Sequence, residues 1–467
     1  MKSAQAKVLH TIAGRSLIGH VLSAVEHLNP KHRAIVVGAK RESVEEHLHE
    51  IAPDALLVHQ EVRNGTGAAA RLALDAFIAS GANKGSTSAS TVIVLAGDTP
   101  LLTGRTLEAL AATHQSSGAK ATVLTAELFD PTGYGRIIRD DQGRISRIVE
   151  EKDCKEYERE IDEINSGVYI FDFDALGSAL AQLSSDNAQG EEYLTDVIAI
   201  LQQRGEIVAA HLLEDESEII GVNDRRQLAI ATSVMRERIN DALLLSGVTI
   251  TDPLSTWVDL DVEIAPDVTL LPGSQLLGKT IVETGAIIGP RTTLIDSSVG
   301  QDARVIESFV RGAAIGYQVQ VGPFSFLREG TELSTGSRIG AYVEIKNSLV
   351  GEGSKVPHLS YVGDATIGRE TNIGAATIFV NYDGVDKHRT EVGDHVRIGS
   401  DTMLVAPVSI GDGAYTAAGS VITEDVPPGA MGVGRSRQSN ILDWVLRRRP
   451  NTKSAEAASK RSKRAES

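Results

Sequence analysis

Apolar positions follow two rhythms along the chain. Up to about residue 222, short apolar runs alternate with amphipathic stretches. RAIVVGA (33–39), TVIVLAGD (91–98), ATVLTAEL (121–128) and SGVYIFD (166–172) read as strands. LIGHVLSAVEHL (17–28) and AAARLALDAFIA (68–79) carry apolar residues at helical spacing between them. Strands separated by helices predict a doubly wound, Rossmann-like α/β domain over 1–222, with a largely parallel sheet and helices on both faces. Residues 223–246 lack Gly and Pro and predict a linker helix that ends at Gly247.

Over 247–436 the period becomes six. Aliphatic residues recur at Ile281 and Ile287, Val299 and Val305, and then at Ile315, Val321, Leu327, Leu333, Ile339 and Ile345. The hexad resumes at Val356 and Val362, Ile367 and Ile373, and Val392, Ile398, Leu404 and Ile410. Gly stands beside many of these positions, as in AIGY, RIGA and NIGA. A sustained hexad with small turn residues predicts a left-handed parallel β-helix of hexapeptide repeats, three short strands to a coil. FVNYDGVDKHRTE (379–391) breaks the rhythm and predicts a protruding loop, the place where such a rod carries sites.

Composition narrows the possibilities. At 467 residues the chain exceeds one comfortable core, which agrees with the change of rhythm. Cys154 is the only cysteine, so no disulfide forms within the chain and a reducing cytoplasm is the expected compartment. It sits in EKDCKE and reads as an inert surface thiol. No run of about 18 apolar residues offers a membrane-spanning helix. A net charge of −16 argues against a general nucleic-acid binder. From Val445 to Ser467 eight Lys or Arg face two Glu, which leaves −22 on the rest. The segment 437–467 therefore reads as a basic, disordered tail.

Four stretches of the first half point to nucleotide chemistry. AGDTPLL (96–102) puts Asp98 just past a strand's C-terminal end, where open α/β sheets bind ligands and where an Asp can hold Mg²⁺. An Asp in that place could equally cap a helix. NGTGAAA (64–70) puts Gly65, Thr66 and Gly67 before a helix, so that backbone N–H groups could approach a base or phosphate. PTGYGRI (131–137) and EINSGVYI (164–171) add a Gly pair before an Arg and an Asn at a strand mouth. In the second half, KVPHLSYVGD (355–364) holds His358, and histidine titrates where a proton must leave an attacking amine. Arg328, Lys346, Tyr361 and Asn372 recur at about the same turn of successive coils, a face suited to an anionic sugar phosphate.

AKVLH, NGTGAA, LAGDTPLL, PTGYGRI, VEEKD, EINSGVY and GVNDR stand in the order and spacing of the sugar-nucleotide pyrophosphorylases. With the hexad half attached, residues 1 to about 440 resemble the bifunctional N-acetylglucosamine-1-phosphate uridylyltransferase/glucosamine-1-phosphate N-acetyltransferases. The resemblance implies that Lys7 contacts phosphate and that Gln60, Gly65 and Thr66 hold the uracil. It implies Asp98 and Asn223 as Mg²⁺ ligands, with Gly135, Glu150 and Asn165 lining the N-acetylglucosamine-1-phosphate pocket. His358 matches the general base, and Arg328, Lys346, Tyr361 and Asn372 match glucosamine-1-phosphate contacts. Ala375, Asn381, Tyr382, Ser400, Ala418 and Arg435 match positions that bind acetyl-CoA or shape its site. UTP and acetyl-CoA are the implied co-substrates, a homotrimer the implied assembly, and peptidoglycan precursors the implied product line.

In one respect the sequence departs from that pattern. The family opens on an apolar strand and a Gly-rich L-A-A-G-x-G-T-R loop around the nucleotide phosphates, and Met1 falls just after that Arg. The expectation is a start placed at an internal Met. The competing expectation is an acetyltransferase alone, with uridylyl transfer lost. A non-enzymatic scaffold is a third reading, and it would not need His358 together with Arg328, Lys346 and Tyr361. A hexad-repeat zinc enzyme would need His358, His388 and His395 to converge.

Overall fold

The computed structural model describes residues 1–38, 41–62, 64–81 and 91–465; Ala39, in the first predicted strand, lies outside them. They form two compact units, Met1–Ser298 and Val299–Ser467. In the first unit, β1 (Thr11–Ile12) and β2 (Arg15–Ser16) make a small ribbon ahead of α1 (Leu17–Glu26). Ser16 caps α1 by accepting from the Gly19 N–H, which satisfies a donor that the first helical turn leaves free. β3 (Ala34–Val37) and β4 (Leu56–His59) run parallel around α2 (Arg41–Ile51), and α3 (Thr66–Ser80) follows.

Next come β5 (Thr91–Val94), α4 (Gly104–Ser117), β6 (Ala121–Glu127), β7 (Gly135–Arg139), β8 (Ile145–Val149), α5 (Glu156–Arg159) and β9 (Glu163–Asp172). After them stand α6 (Phe173–Leu180), α7 (Asp196–Gln203), β10 (Val208–Leu212) and α8 (Arg225–Leu245). The sheet is mixed, where strand–helix alternation predicts a mostly parallel one. β10 pairs parallel with β6, but the long β9 runs antiparallel to β5, β6 and β7. Between β6 and β9 stand the β7–β8 hairpin and only the four-residue α5, too short to serve as the crossover helix that a parallel pair needs. One core layer packs Phe171, Val123, Leu180 and Leu201 on one side of the sheet, and another packs Ile164, Leu107, Leu110 and Leu124 on the other.

The linker helix is α8, capped by Asp224 and Gln227 in a reciprocal box. The boundary between units lies further along than the predicted start of the coils at 247, because α8 and the β1–β2 turn grip the first coils. Arg236 stacks on the Trp257 ring at 4.6 Å, Asn240 donates to Pro253 O and Thr256 O, and the Leu260 N–H donates to Ala13 O.

Both units carry coils of three short parallel strands, and within each unit the rows pair each strand with the one a coil further on. From Val299 to Ile410 the predicted hexad residues are all buried. In the earliest coils the predicted phase is off by one: Ile281 is 46% exposed, and Val282, Ile288 and Leu294 fill the interior. Adjacent residues of a strand face opposite sides, so an Ile–Val or Ile–Ile pair leaves the inner member ambiguous in the sequence. Phe379 lies fully buried at the root of the 381–389 excursion. The basic tail, expected to lack order, holds two helices, Trp444–Arg448 and Lys453–Ala465; the second is rich in Ala and Lys, both strong helix formers. Cys154 is buried, not on the surface, and its thiol is pushed up chiefly by that burial.

Candidate active sites

At the mouth of the first unit's sheet, Lys7 forms an ion pair with Asp98 and donates to Asn223 Oδ1 at 2.9 Å. The Val222 N–H donates to Asp98 O at 2.9 Å, and this ties the start of α8 to the end of β5. Two side-chain oxygens from segments remote in sequence are thus aimed at one cation. That donor set suits a hard divalent ion, which takes its remaining oxygens from water and phosphate.

Around α3, Gln60 Nε2 donates to Gly65 O at 3.2 Å, so Gln60, Gly65 and Thr66 share one turn. The helix start is not an open phosphate cradle, however. The Gly67 N–H is already donated to Glu192 O at 2.9 Å, and Thr66 Oγ1 accepts from the Leu194 N–H at 3.1 Å.

The third cluster lies on β7 and β9, where Gly135 and Asn165 are register partners. Asn165 Nδ2 donates to the Tyr169 hydroxyl at 2.7 Å, and its Oδ1 accepts from the Gly167 N–H. Glu150 accepts from Thr195 Oγ1 at 3.1 Å. Burial pushes the Glu150 carboxyl above its usual range, and the negative charges of Asp153 and Asp196 add to the rise. Behind the cluster Arg136 is fully buried, paired with Glu151 and donating to Tyr134 O. The Gly pair before an Arg is thus a strand entry braced by an interior ion pair.

In the second unit, Lys346 pairs in register with Gly363, and the Arg328 N–H donates to Ile345 O one coil earlier. Arg328 and Lys346 therefore stack in one outward column, with Tyr361 two residues before Gly363 on the same strand face. Arg328 is held by Glu344 at 2.9 Å. His358 ends the strand Lys355–His358, exposed, at the corner just before Tyr361. Asn372 bridges to Lys355 and lies in the preceding row, not in the column of Arg328 and Lys346.

Sequence reasoning missed Lys387. This lysine lies against Lys346, and that contact is the main reason the Lys346 amine sits below its ordinary range. Partial burial and the charge of Arg328 act in the same direction, and Asp364 opposes them. Lys387 falls in the excursion, outside the hexad, so no periodic signal marked it. The excursion folds on itself: Asp383 accepts from the Val385 and Asp386 N–H groups and pairs with His388 at 2.8 Å, which holds its carboxyl at about 2. His388 is thereby committed to Asp383. No cluster of three or more His, Cys, Asp or Glu fit to hold a metal occurs among the described residues, so the zinc-enzyme reading lacks a ligand set.

Of the acetyl-CoA candidates, Asn381 is buried and donates to Asp364, which Asn347 also bonds at 2.6 Å. Tyr382 is exposed, its hydroxyl donating to Gly384 O. Ala375 O accepts from the Asp401 N–H, and Ser400 O accepts from the Gly419 N–H. A Cβ placed on Gly399 would lie 2.6 Å from the Ala418 nitrogen, and one on Gly419 would lie 3.8 Å from Arg435 Cδ. Ala375, Ser400, Ala418 and Arg435 thus line up along adjoining coils.

The Nucleotidyl transferase family matches residues 2–260. The Bacterial transferase hexapeptide (six repeats) family matches residues 389–424. Three curated relatives share the name Bifunctional protein GlmU. The one from Streptomyces coelicolor is 53% identical over 98% of this chain and 94% of its own length. That from Streptomyces avermitilis is 52% identical over 100% and 95%, and that from Thermobifida fusca 52% over 100% and 96%.

Proposed function

The chain belongs to the family of the Bifunctional protein GlmU, and from that premise we propose how its halves catalyse two steps of UDP-N-acetylglucosamine synthesis for peptidoglycan precursors. The reading rests most on Lys387, brought by the excursion against Lys346, with Arg328 in the Lys346 column and an exposed His358 at the corner before Tyr361. Three cations in a small area favour a dianionic sugar phosphate. With glucosamine-1-phosphate held there, its amine attacks the thioester carbonyl of acetyl-CoA. A C–N bond forms as the C–S bond breaks, and His358 takes the amine proton and passes it to the departing sulfur, so that coenzyme A leaves as the thiol. Asn381, Tyr382, Ala375, Ser400, Ala418 and Arg435 flank the coenzyme. The scaffold reading has no use for this arrangement.

In the first half, an N-acetylglucosamine-1-phosphate oxygen attacks the α-phosphorus of UTP and pyrophosphate departs. Lys7 neutralises phosphate charge, Gln60, Gly65 and Thr66 hold the uracil, and Gly135, Glu150 and Asn165 orient the sugar. Asp98 and Asn223 are the residues to hold a divalent cation, Mg²⁺ by their hard-oxygen chemistry, which when bound offsets the charge of the leaving pyrophosphate. The bifunctional reading is favoured over acetyl transfer alone. No helix of the described residues is long and apolar enough to cross a membrane, and the site of action in this reading is the cytoplasm, with no nucleic-acid or membrane partner. A homotrimer accounts for the exposed Phe309, Phe324, Phe326, Tyr342 and Leu359 on the coils.

Incubation of the purified chain with acetyl-CoA and glucosamine-1-phosphate should yield free thiol. With UTP, Mg²⁺ and N-acetylglucosamine-1-phosphate it should yield pyrophosphate. A chain that acetylates nothing contradicts the reading of the second half, and one that releases no pyrophosphate contradicts that of the first.

A further inference from the structure

The Gly65–Thr66–Gly67 turn is bound along its length by the segment just before Thr195. The Glu192 N–H donates to Asn64 O at 2.7 Å, and its carbonyl accepts from the Gly67 N–H at 2.9 Å. The Leu194 N–H donates to Thr66 Oγ1 at 3.1 Å. Arg71, one turn along α3, pairs with the Glu192 carboxylate and donates to Leu180 O at 3.2 Å. Both glycines are explained by this contact. Gly65 sits at φ 112°, and a Cβ there would lie 2.3 Å from Glu192 O; a Cβ on Gly67 would lie 3.0 Å from the same oxygen. Tyr193 and Leu194 are buried, so the segment is anchored directly after Glu192. One residue beyond Leu194, Thr195 Oγ1 donates to Glu150 at 3.1 Å.

We propose that this turn is a staple that places Thr195 against Glu150, so that Thr66 is a positioning residue for the sugar phosphate as well as part of the nucleotide side. The inference rests on reading the Glu150–Asn165 cluster as the N-acetylglucosamine-1-phosphate pocket. A carboxylate that accepts from Thr195 through one oxygen keeps the other free for a sugar hydroxyl or amide N–H. When Leu194 loses its acceptor, Thr195 is no longer fixed and Glu150 loses its orientation.

Calorimetric titration of the full chain with N-acetylglucosamine-1-phosphate tests this. Thr66→Val keeps the shape and removes the acceptor, and it should weaken binding about tenfold, with Thr66→Ser restoring it to within about twofold. Thr195→Val should cost about the same, and the double variant no more than either alone, as for groups acting in series. Arg71→Gln loosens the staple from its exposed side and should cost about threefold if the turn itself proves too fragile to alter. A wild-type affinity in Thr66→Val, or losses that simply multiply, overturns the staple alone. A wild-type chain that fails to bind the sugar phosphate brings down the pocket reading, and the staple with it.

Discussion

In the nucleotidyl transferase half, groups that meet come from far apart in the chain. Lys7 meets Asp98 across 91 positions and Asn223 across 216, and Leu194 reaches Thr66 across 128. In the coiled half the separations are short and regular: Lys346 stands beside Gly363, and Asn347 bonds Asp364, 17 positions on in each case. The two plans differ in where precision comes from. The α/β site depends on a sheet that brings remote segments to one mouth, so its parts are fixed through second contacts such as the Glu192 staple. In the coils, backbone register alone aligns successive side chains, and the site needs only one departure from the repeat, the excursion that delivers Lys387.

The largest effect should come from the root of that excursion. Phe379→Ala empties a fully buried position and should cost about 3–5 kcal/mol. Calorimetry should show the loss in the coiled half, with pyrophosphate release retained, because neighbouring coils carry one another's stability. Loss of both activities together would break the contrast between the halves.

Lys387→Gln should raise KM for glucosamine-1-phosphate about tenfold with a smaller change in kcat. It also carries a pH signature. The Lys346 amine, held below the usual 10.5 by Lys387, loses its charge as pH rises through that lowered value, and KM should rise on the alkaline side. Removal of Lys387 should move that rise to higher pH. An alkaline limb that stays in place would separate the two lysines.

Glu150→Gln should have the smallest effect on stability and the opposite sign. The folded Glu150 carboxyl titrates above its ordinary 4.5, so the protonated form contributes stability that is complete below that value and is lost as pH rises through the folded one. The variant should melt higher than wild type at pH 8, with the gain fading towards pH 4, while sugar-phosphate affinity falls about tenfold. A melting gain that persists unchanged at pH 4 would show that burial does not govern this carboxyl.

Legibility in the sequence followed the same contrast. Nearly every hexad position named from the sequence is buried, and Arg328 and Lys346 do share a column, because a repeat prints its geometry locally. It failed at Ile281, where two adjacent aliphatics left the inward one undecided, and at Lys387, which lies outside the repeat. In the α/β half four strands and two helices were legible from their periods. The antiparallel course of β9 was not, since strand direction depends on connections and not on local pattern. Gly65 and Gly67 were visible as glycines, but their purpose was not: the backbone they make room for, at Glu192, lies some 125 positions away.

A reciprocal pair of variants tests most directly whether these are two separately built catalytic sites. His358→Ala should lower acetyl transfer by about 10²–10⁴-fold and leave pyrophosphate release from UTP within about twofold of wild type. Asp98→Asn should do the reverse, with a loss of about 10²-fold or more confined to the uridylyl step. If His358→Ala acetylates glucosamine-1-phosphate at the wild-type rate, or if either variant lowers both activities alike, the account is wrong.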